Sequence, residues 1–178
     1  ENGDNSNSVS SSTSWWKPST NGKKRVMLCG TYPIGTSNGY SKVVYYISKY
    51  LGNYEDIELT IYGFQNVDNT NGKDIRNDIP SSVKLHDAFA SENPSRSGFG
   101  EKEIGDFIKS NPQDIIIIFN DNMITSALTA TIINECGSER KNFKLISYMD
   151  QVYPYQKKSY IELLNNYYNG IIAFTPYW

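Results

Sequence analysis

Between Asp114 and Asn120 the chain carries four isoleucines in a row followed by a phenylalanine, Ile115-Ile116-Ile117-Ile118-Phe119. A strand sends alternate side chains to opposite faces, so an unbroken apolar run of this kind is satisfied only where both faces are covered. That requirement points to the interior of a parallel sheet with helices packed above and below it. The flanks agree, because Asn111-Pro112 breaks the chain before the run and Asn120-Asp121-Asn122 turns it afterwards.

The same rhythm recurs from Lys23 onward, with short β-branched runs bounded by Gly, Asn or Asp alternating with segments of helical period. Strands are expected near Arg25 to Gly30, Ile57 to Gly63, Ser82 to Asp87, Asp114 to Asn120, Phe143 to Met149 and Gly170 to Thr175. Tyr40, Val43, Val44, Ile47 and Leu51 share one helical face, with Ser37 or Asn38 as N-cap and Gly52 as the stop. A second helix is expected from Glu101 to Ser110, a third after Asn120-Asp121-Asn122 with Ile124, Leu128 and Ile132, and a fourth carrying Ile161, Leu164 and Tyr168. Two polar loops, Gln65 to Ser81 and Ala90 to Phe99, are long enough to act as surface insertions or lids. The expected fold is thus an α/β, Rossmann-like parallel sheet of about six strands with helices on both faces, over residues 23–178.

Residues 1–22 are nearly all Ser, Asn, Thr and Gly and read as a disordered leader, with Trp15-Trp16 as an apolar anchor or a partner or membrane-surface tag. The chain opens at Glu1 and ends at Trp178, which reads as a cut piece of a longer protein. At 178 residues and 38% apolar it can fill one core. Its 17 basic and 19 acidic residues leave a charge of −2, which excludes the one-sided positive field of a nucleic-acid binder. No apolar run is long enough to span a bilayer. The two cysteines, Cys29 and Cys136, read as reduced thiols of a cytoplasmic protein, and no Asn opens an Asn-x-Ser/Thr acceptor.

Ligands of open parallel sheets bind outside the carboxyl ends of the strands, so the residues there are the candidates. After the first strand comes Gly30-Thr31-Tyr32-Pro33-Ile34-Gly35-Thr36-Ser37-Asn38-Gly39-Tyr40-Ser41, whose glycines would let backbone N–H groups approach a phosphate at the start of a helix, or simply form a pliant connection. Its spacing matches neither the dinucleotide fingerprint nor the P-loop, and no acid follows the second strand before Asp68, which speaks against NAD. After the fourth strand, Asn120 and Asp121 could bind hydroxyls of a sugar or serve as an ordinary cap. After the fifth, Asp150 and Gln151 stand among Tyr148 and Tyr153, a carboxylate with aromatics that suits carbohydrate. His86, the lone histidine, falls inside a strand and reads as structural; no zinc spacing and no nucleophile elbow occur.

These stretches resemble the N-terminal domain of a GT-B glycosyltransferase, most closely family 4 of the retaining enzymes (glycosyltransferase group 1). The resemblance rests on Arg25-Val-Met-Leu-Cys-Gly-Thr-Tyr-Pro, Tyr40-Ser-Lys-Val-Val-Tyr-Tyr-Ile-Ser-Lys-Tyr-Leu, Leu145-Ile-Ser-Tyr-Met-Asp and Gly170-Ile-Ile-Ala-Phe-Thr-Pro-Tyr-Trp, in that order from Lys24 to Trp178. It implies an acceptor-binding half with Asn120, Asp121, Gln151 and Tyr153 toward the acceptor, and Gly35, Gly39, Tyr40 and Ser41 toward the donor phosphates. It also implies that Asp150 faces the reacting sugar, with Met149 where many relatives carry His. The implied substrates are a nucleotide sugar and a glycan-type acceptor, with no required metal, and the C-terminal donor domain of the family is absent from this chain. Peripheral membrane contact is compatible with this reading. The abundance of Asn, Ile, Tyr and Lys points to an AT-rich genome such as that of a large DNA virus, whose enzyme would work in host cytoplasm. The alternative is a non-catalytic Rossmann-like binding module.

Overall fold

The computed structural model describes residues 14–35, 38–67, 76–92, 97–150 and 155–174. Six strands, β1 (Lys24–Thr31), β2 (Ile57–Phe64), β3 (Lys84–Asp87), β4 (Ile115–Asn120), β5 (Lys144–Met149) and β6 (Gly170–Ala173), form one parallel sheet in the order β3-β2-β1-β4-β5-β6. This is the doubly wound, Rossmann-like order expected from the alternation. Helices α1 (Gly39–Leu51), α2 (Ala88–Ser91), α3 (Ile104–Ser110), α4 (Asn122–Cys136) and α5 (Lys158–Tyr167) make the crossovers, and a 3₁₀ segment (Gly137–Asn142) leads into β5.

The two faces separate cleanly along β1. Met27 and Cys29 pack with Ile104, Ile108, Leu128 and Ile132 of α3 and α4, whereas Val26 and Leu28 pack with Val44 of α1. The isoleucine run of β4 divides the same way: Ile116 and Ile118 join the α3/α4 side, and Ile115 and Ile117 pack against the α1 side. Helices therefore lie on both faces, as the continuous apolar strands required.

Elements differ from expectation where local signals were weak. The helix expected from Glu101 begins at Ile104, after a turn in which Gly100 takes φ 60°. Tyr168 is not part of α5 but its C-cap, partly buried, with its hydroxyl 2.6 Å from that of Thr129 on α4, while Ile161 on the expected apolar stripe is exposed. The short helix α2 and the 3₁₀ segment were not foreseen, because one-turn elements carry no measurable period.

Residues 14–23 have no regular structure, yet Trp15 and Trp16 pack against the α3/α4 core. The Trp16 indole donates to the Gln113 carbonyl at 2.7 Å, and the Arg25 guanidinium lies 5.3 Å from its ring. The pair is an anchor at the amino ends of the strands, opposite the end where a parallel sheet binds ligands.

Candidate functional site

Strand order reverses between β1 and β4, and a parallel sheet opens a crevice at such a point, beyond the strand carboxyl ends. Here the crevice is a cleft of about 250 Å³. Its floor is Thr31 at the end of β1 and Asn120 at the end of β4. Asn38 and Tyr40 from the start of α1, and Asp121, Met123 and Ile124 from the start of α4, form two walls; Gln65 and Phe99 close a third.

Each wall has a local cause. Asn38 caps α1 in a reciprocal box: its side chain accepts the Ser41 N–H at 2.8 Å, and the Ser41 hydroxyl accepts the Asn38 N–H at 3.2 Å. Asp121 caps α4 by accepting the Ile124 N–H at 3.0 Å, and Asn120 accepts the Asp121 N–H at 2.9 Å. Both caps aim helix N-termini at the same space. Gln65 has φ 48°, the one positive value at a non-glycine among the described residues, a backbone state seen chiefly where surrounding contacts impose it. Its N–H donates to the Gly98 carbonyl at 2.7 Å.

Phe99 is held from several sides. The buried Glu92 carboxylate accepts the Gly98 N–H at 2.6 Å and also the Gly100 N–H, two glycines at φ 86° and 60°. The Tyr62 hydroxyl donates to the Gly100 carbonyl at 2.7 Å, and Phe99 itself meets Phe64 edge-on at 5.5 Å. Left-handed backbone at two glycines makes this compact clasp accessible, and the carboxylate satisfies donors that would otherwise be buried.

The expected site residues fall out as follows. Asn120, Asp121 and Tyr40 line the cleft. Gly39 opens α1; a Cβ there would meet nothing within 4 Å, and no described residue accepts its N–H, so the backbone is open to an approaching group. Gly35 takes φ 97° and makes the turn before α1. Ser41 is fully buried and engaged by the cap and by Arg76, whose guanidinium donates to its hydroxyl at 3.0 Å, so it supports the helix start. Gly30, the first glycine of the loop, lies inside β1, where a Cβ would come within 2.6 Å of Val44; it serves close helix–strand packing and not ligand approach.

Met149 pairs with Asn120 across β4 and β5, so Asp150 leaves the sheet one residue beyond, half-buried at the same end. Gln151 and Tyr153 lie outside the described residues. Sequence reasoning did not single out Thr31, Gln65, Phe99, Met123 and Ile124. The Gly98-Phe99-Gly100 triplet, an aromatic between two glycines, was the available signal. His86 stacks on Tyr62 at 5.2 Å and meets Phe107 at 4.3 Å, with burial lowering its pKa despite Asp87 nearby; it is structural.

Two other concavities are less suited to chemistry. One of about 190 Å³ at the amino ends has its charges already paired, Arg25 with Asp114 and Lys84 with Glu58. The other, about 340 Å³ between Tyr46 and Tyr50 of α1 and Ile117, Tyr148 and Ile172 of the sheet, offers little but apolar surface to orient a ligand. No helix among the described residues is long and apolar enough to cross a membrane, and no cluster of three or more metal-ligating side chains occurs among them. The fold and cleft define a doubly wound α/β domain with a switch-point cleft. No protein-family model matches the chain, and no curated protein matches it.

Proposed function

We propose that this chain is the N-terminal, acceptor-binding part of a retaining GT-B glycosyltransferase, which moves a hexosyl group from a nucleotide sugar to a glycan or other acceptor. The observation that carries the reading is the switch-point cleft: about 250 Å³, with aromatic walls and neutral hydrogen-bonding side chains over the carboxyl ends of β1 and β4. That volume falls below the roughly 300–1,000 Å³ of sites for drug-sized ligands, so it suits one sugar ring better than a whole nucleotide sugar.

The proposed roles combine the resemblance with position in the fold. Asn120, Thr31 and the wall residues hold the acceptor. The open backbone at Gly39 meets the donor phosphates across an interdomain cleft, where N–H groups at a helix start favour an anion. Asp150, at the end of β5, faces the reacting sugar. The resemblance to the GT-B family gives Gln151 and Tyr153 to the acceptor as well. The leaving diphosphate is stabilised mainly by donors of a C-terminal domain, and the transfer needs no metal. Two unpaired, buried thiols fit a reducing compartment, hence a cytoplasmic enzyme, including one acting in the cytoplasm of a virus-infected host.

The test has two parts. The chain alone, titrated with UDP and GDP, should show weak nucleotide binding or none. The intact parent enzyme should transfer a hexose, and Asp150→Asn should lower kcat by about 10²-fold or more, the scale of a positioned acid–base group. Tight nucleotide binding by the chain alone would instead favour a self-contained Rossmann-like binding module.

A further inference from the structure

We infer that the switch-point cleft is selective for an uncharged sugar ring and discriminates against phosphorylated or carboxylated sugars; this deepens, and rests on, the acceptor-binding reading above. The argument begins with two floor residues. Thr31 is 2% and Asn120 6% exposed, and both line the cleft. The Asn120 amide oxygen is used by the Asp121 N–H, but neither its amide nitrogen nor the Thr31 hydroxyl is bonded to any described residue. Neither atom is among the buried unpartnered ones, so the amide and the hydroxyl reach into the cleft from otherwise buried residues and are presented to whatever occupies it. Their chemistry is neutral: an N–H₂ donor and an O–H that can donate or accept, the complement of sugar hydroxyls.

The charges around the cleft set the selectivity. Among the described residues the one charged side chain that lines the cleft is Asp121, whose carboxylate offsets the helix N-terminus it caps and repels an anion. Arg76 donates to the Ser41 hydroxyl and is not among the described residues that line the cleft, and the Glu92 carboxylate accepts the Gly98 and Gly100 N–H groups. Tyr40 and Phe99 supply the aromatic surface against which the C–H face of a pyranose packs. The Phe99 wall is fixed before any ligand arrives, because Glu92, Gln65 and Tyr62 all hold its loop.

The experiment is a protein NMR titration of the 178-residue chain with methyl glucopyranoside, methyl mannopyranoside, glucose 6-phosphate and glucuronate. At least one neutral glycoside should shift the Asn120 side-chain amide and the Tyr40 and Phe99 rings, with the acidic sugars binding at least tenfold more weakly. Thr31→Val, nearly isosteric, and Asn120→Ala should each weaken neutral-sugar binding at least fivefold, with thermal unfolding showing that both variants fold. The inference is overturned if an acidic sugar binds as tightly as the neutral ones, if both variants bind unchanged, or if no sugar binds. The transferase reading survives any of these results and fails instead on the nucleotide and Asp150 measurements.

Discussion

Replacing Gly30 by alanine tests how the first βα unit frames the cleft. An ideal Cβ at Gly30 would sit 2.6 Å from Cγ2 of Val44, with Phe119 at an ordinary 3.7 Å on the other side. Carbon atoms settle at about 3.5–4.0 Å, so Val44, and α1 with it, must retreat by roughly 1 Å. Overpacking of this kind costs about 1–3 kcal/mol. Val44→Ala removes the clashing methyl but leaves a void at a fully buried site, for about 2 kcal/mol, from two lost methyl groups at ~0.8 kcal/mol each plus the cavity. In the double variant the new Cβ partly fills that void, so its cost should fall short of the sum of the two single costs by about 1–2 kcal/mol. Urea unfolding with an unchanged m-value reads the coupling directly. Sugar binding should follow, weakened by Gly30→Ala as Asn38 and Tyr40 shift with α1, and restored in the double variant. Additivity within about 0.5 kcal/mol would refute the packing role.

Trp16→Phe, which keeps an aromatic ring but removes the indole N–H bond to Gln113, should cost about 1 kcal/mol, and Trp16→Ala about 1–3 kcal/mol, both read by urea midpoint; an unchanged midpoint for Trp16→Ala would show that the anchor is incidental. Burial pushes the Asp114 pKa up, but the bonds from the Arg25 guanidinium and N–H outweigh this and hold it below the ordinary aspartate value. Its folded value is therefore depressed, so the pair stabilises the protein above the unfolded pKa and loses that contribution as pH falls through the folded one. Asp114→Asn should flatten the acid limb of the unfolding midpoint below about pH 4, and an unaltered limb would show that another carboxylate sets it. Burial pushes the Cys136 thiol up to about 11 and raises Cys29 further, so a thiol reagent at neutral pH should label neither in the native protein and both after unfolding; rapid native labelling of either would contradict the burial.

The sheet was legible because burial on both faces leaves a mark in sequence that survives without any tertiary information. Ile115 to Phe119 is such a mark, and the residues just past each strand follow from it by topology alone. Asn120 and Asp121 were reached in that way, whereas Tyr40 came from the family resemblance, as a residue toward the donor phosphates. Phe99 and Gln65 were not, because what puts them in the cleft is long-range: a carboxylate at Glu92 gathering two glycine N–H groups, and a strand end forced to φ 48°. Ser41 shows the converse. Its place at a helix start suggested a phosphate contact, yet the same position makes it the natural third residue of a capping box, and the cap has taken it. Gly30 was read both as the end of the first strand and as the first glycine of the loop, and only the strand role holds. A glycine's purpose, space or backbone freedom, becomes visible only when its neighbours are in place.

The electrostatics of the cleft explain why binding and chemistry would be divided between two domains on the proposed reading. Expelling a nucleoside diphosphate builds negative charge, and catalysis of that step comes chiefly from donors and cations aimed at the charge as it develops. Among the described residues the cleft supplies the opposite, a carboxylate at Asp121 and neutral groups around it. At the start of α1, the Ser41 N–H is taken by Asn38, which leaves Gly39 as an open backbone donor at the rim. One such donor can position a phosphate without neutralising it. A site whose described lining side chains carry no positive charge is a poor place to break a sugar–phosphate bond unaided, but a good place to hold an uncharged acceptor. A carboxylate near the acceptor also favours cationic character at a reacting sugar carbon, so Asp121 and Asp150 would assist the step even as they repel its leaving group. The cations that the step requires would then come from the facing domain, and closing the two halves would bring the opposing charges together only when both substrates are bound.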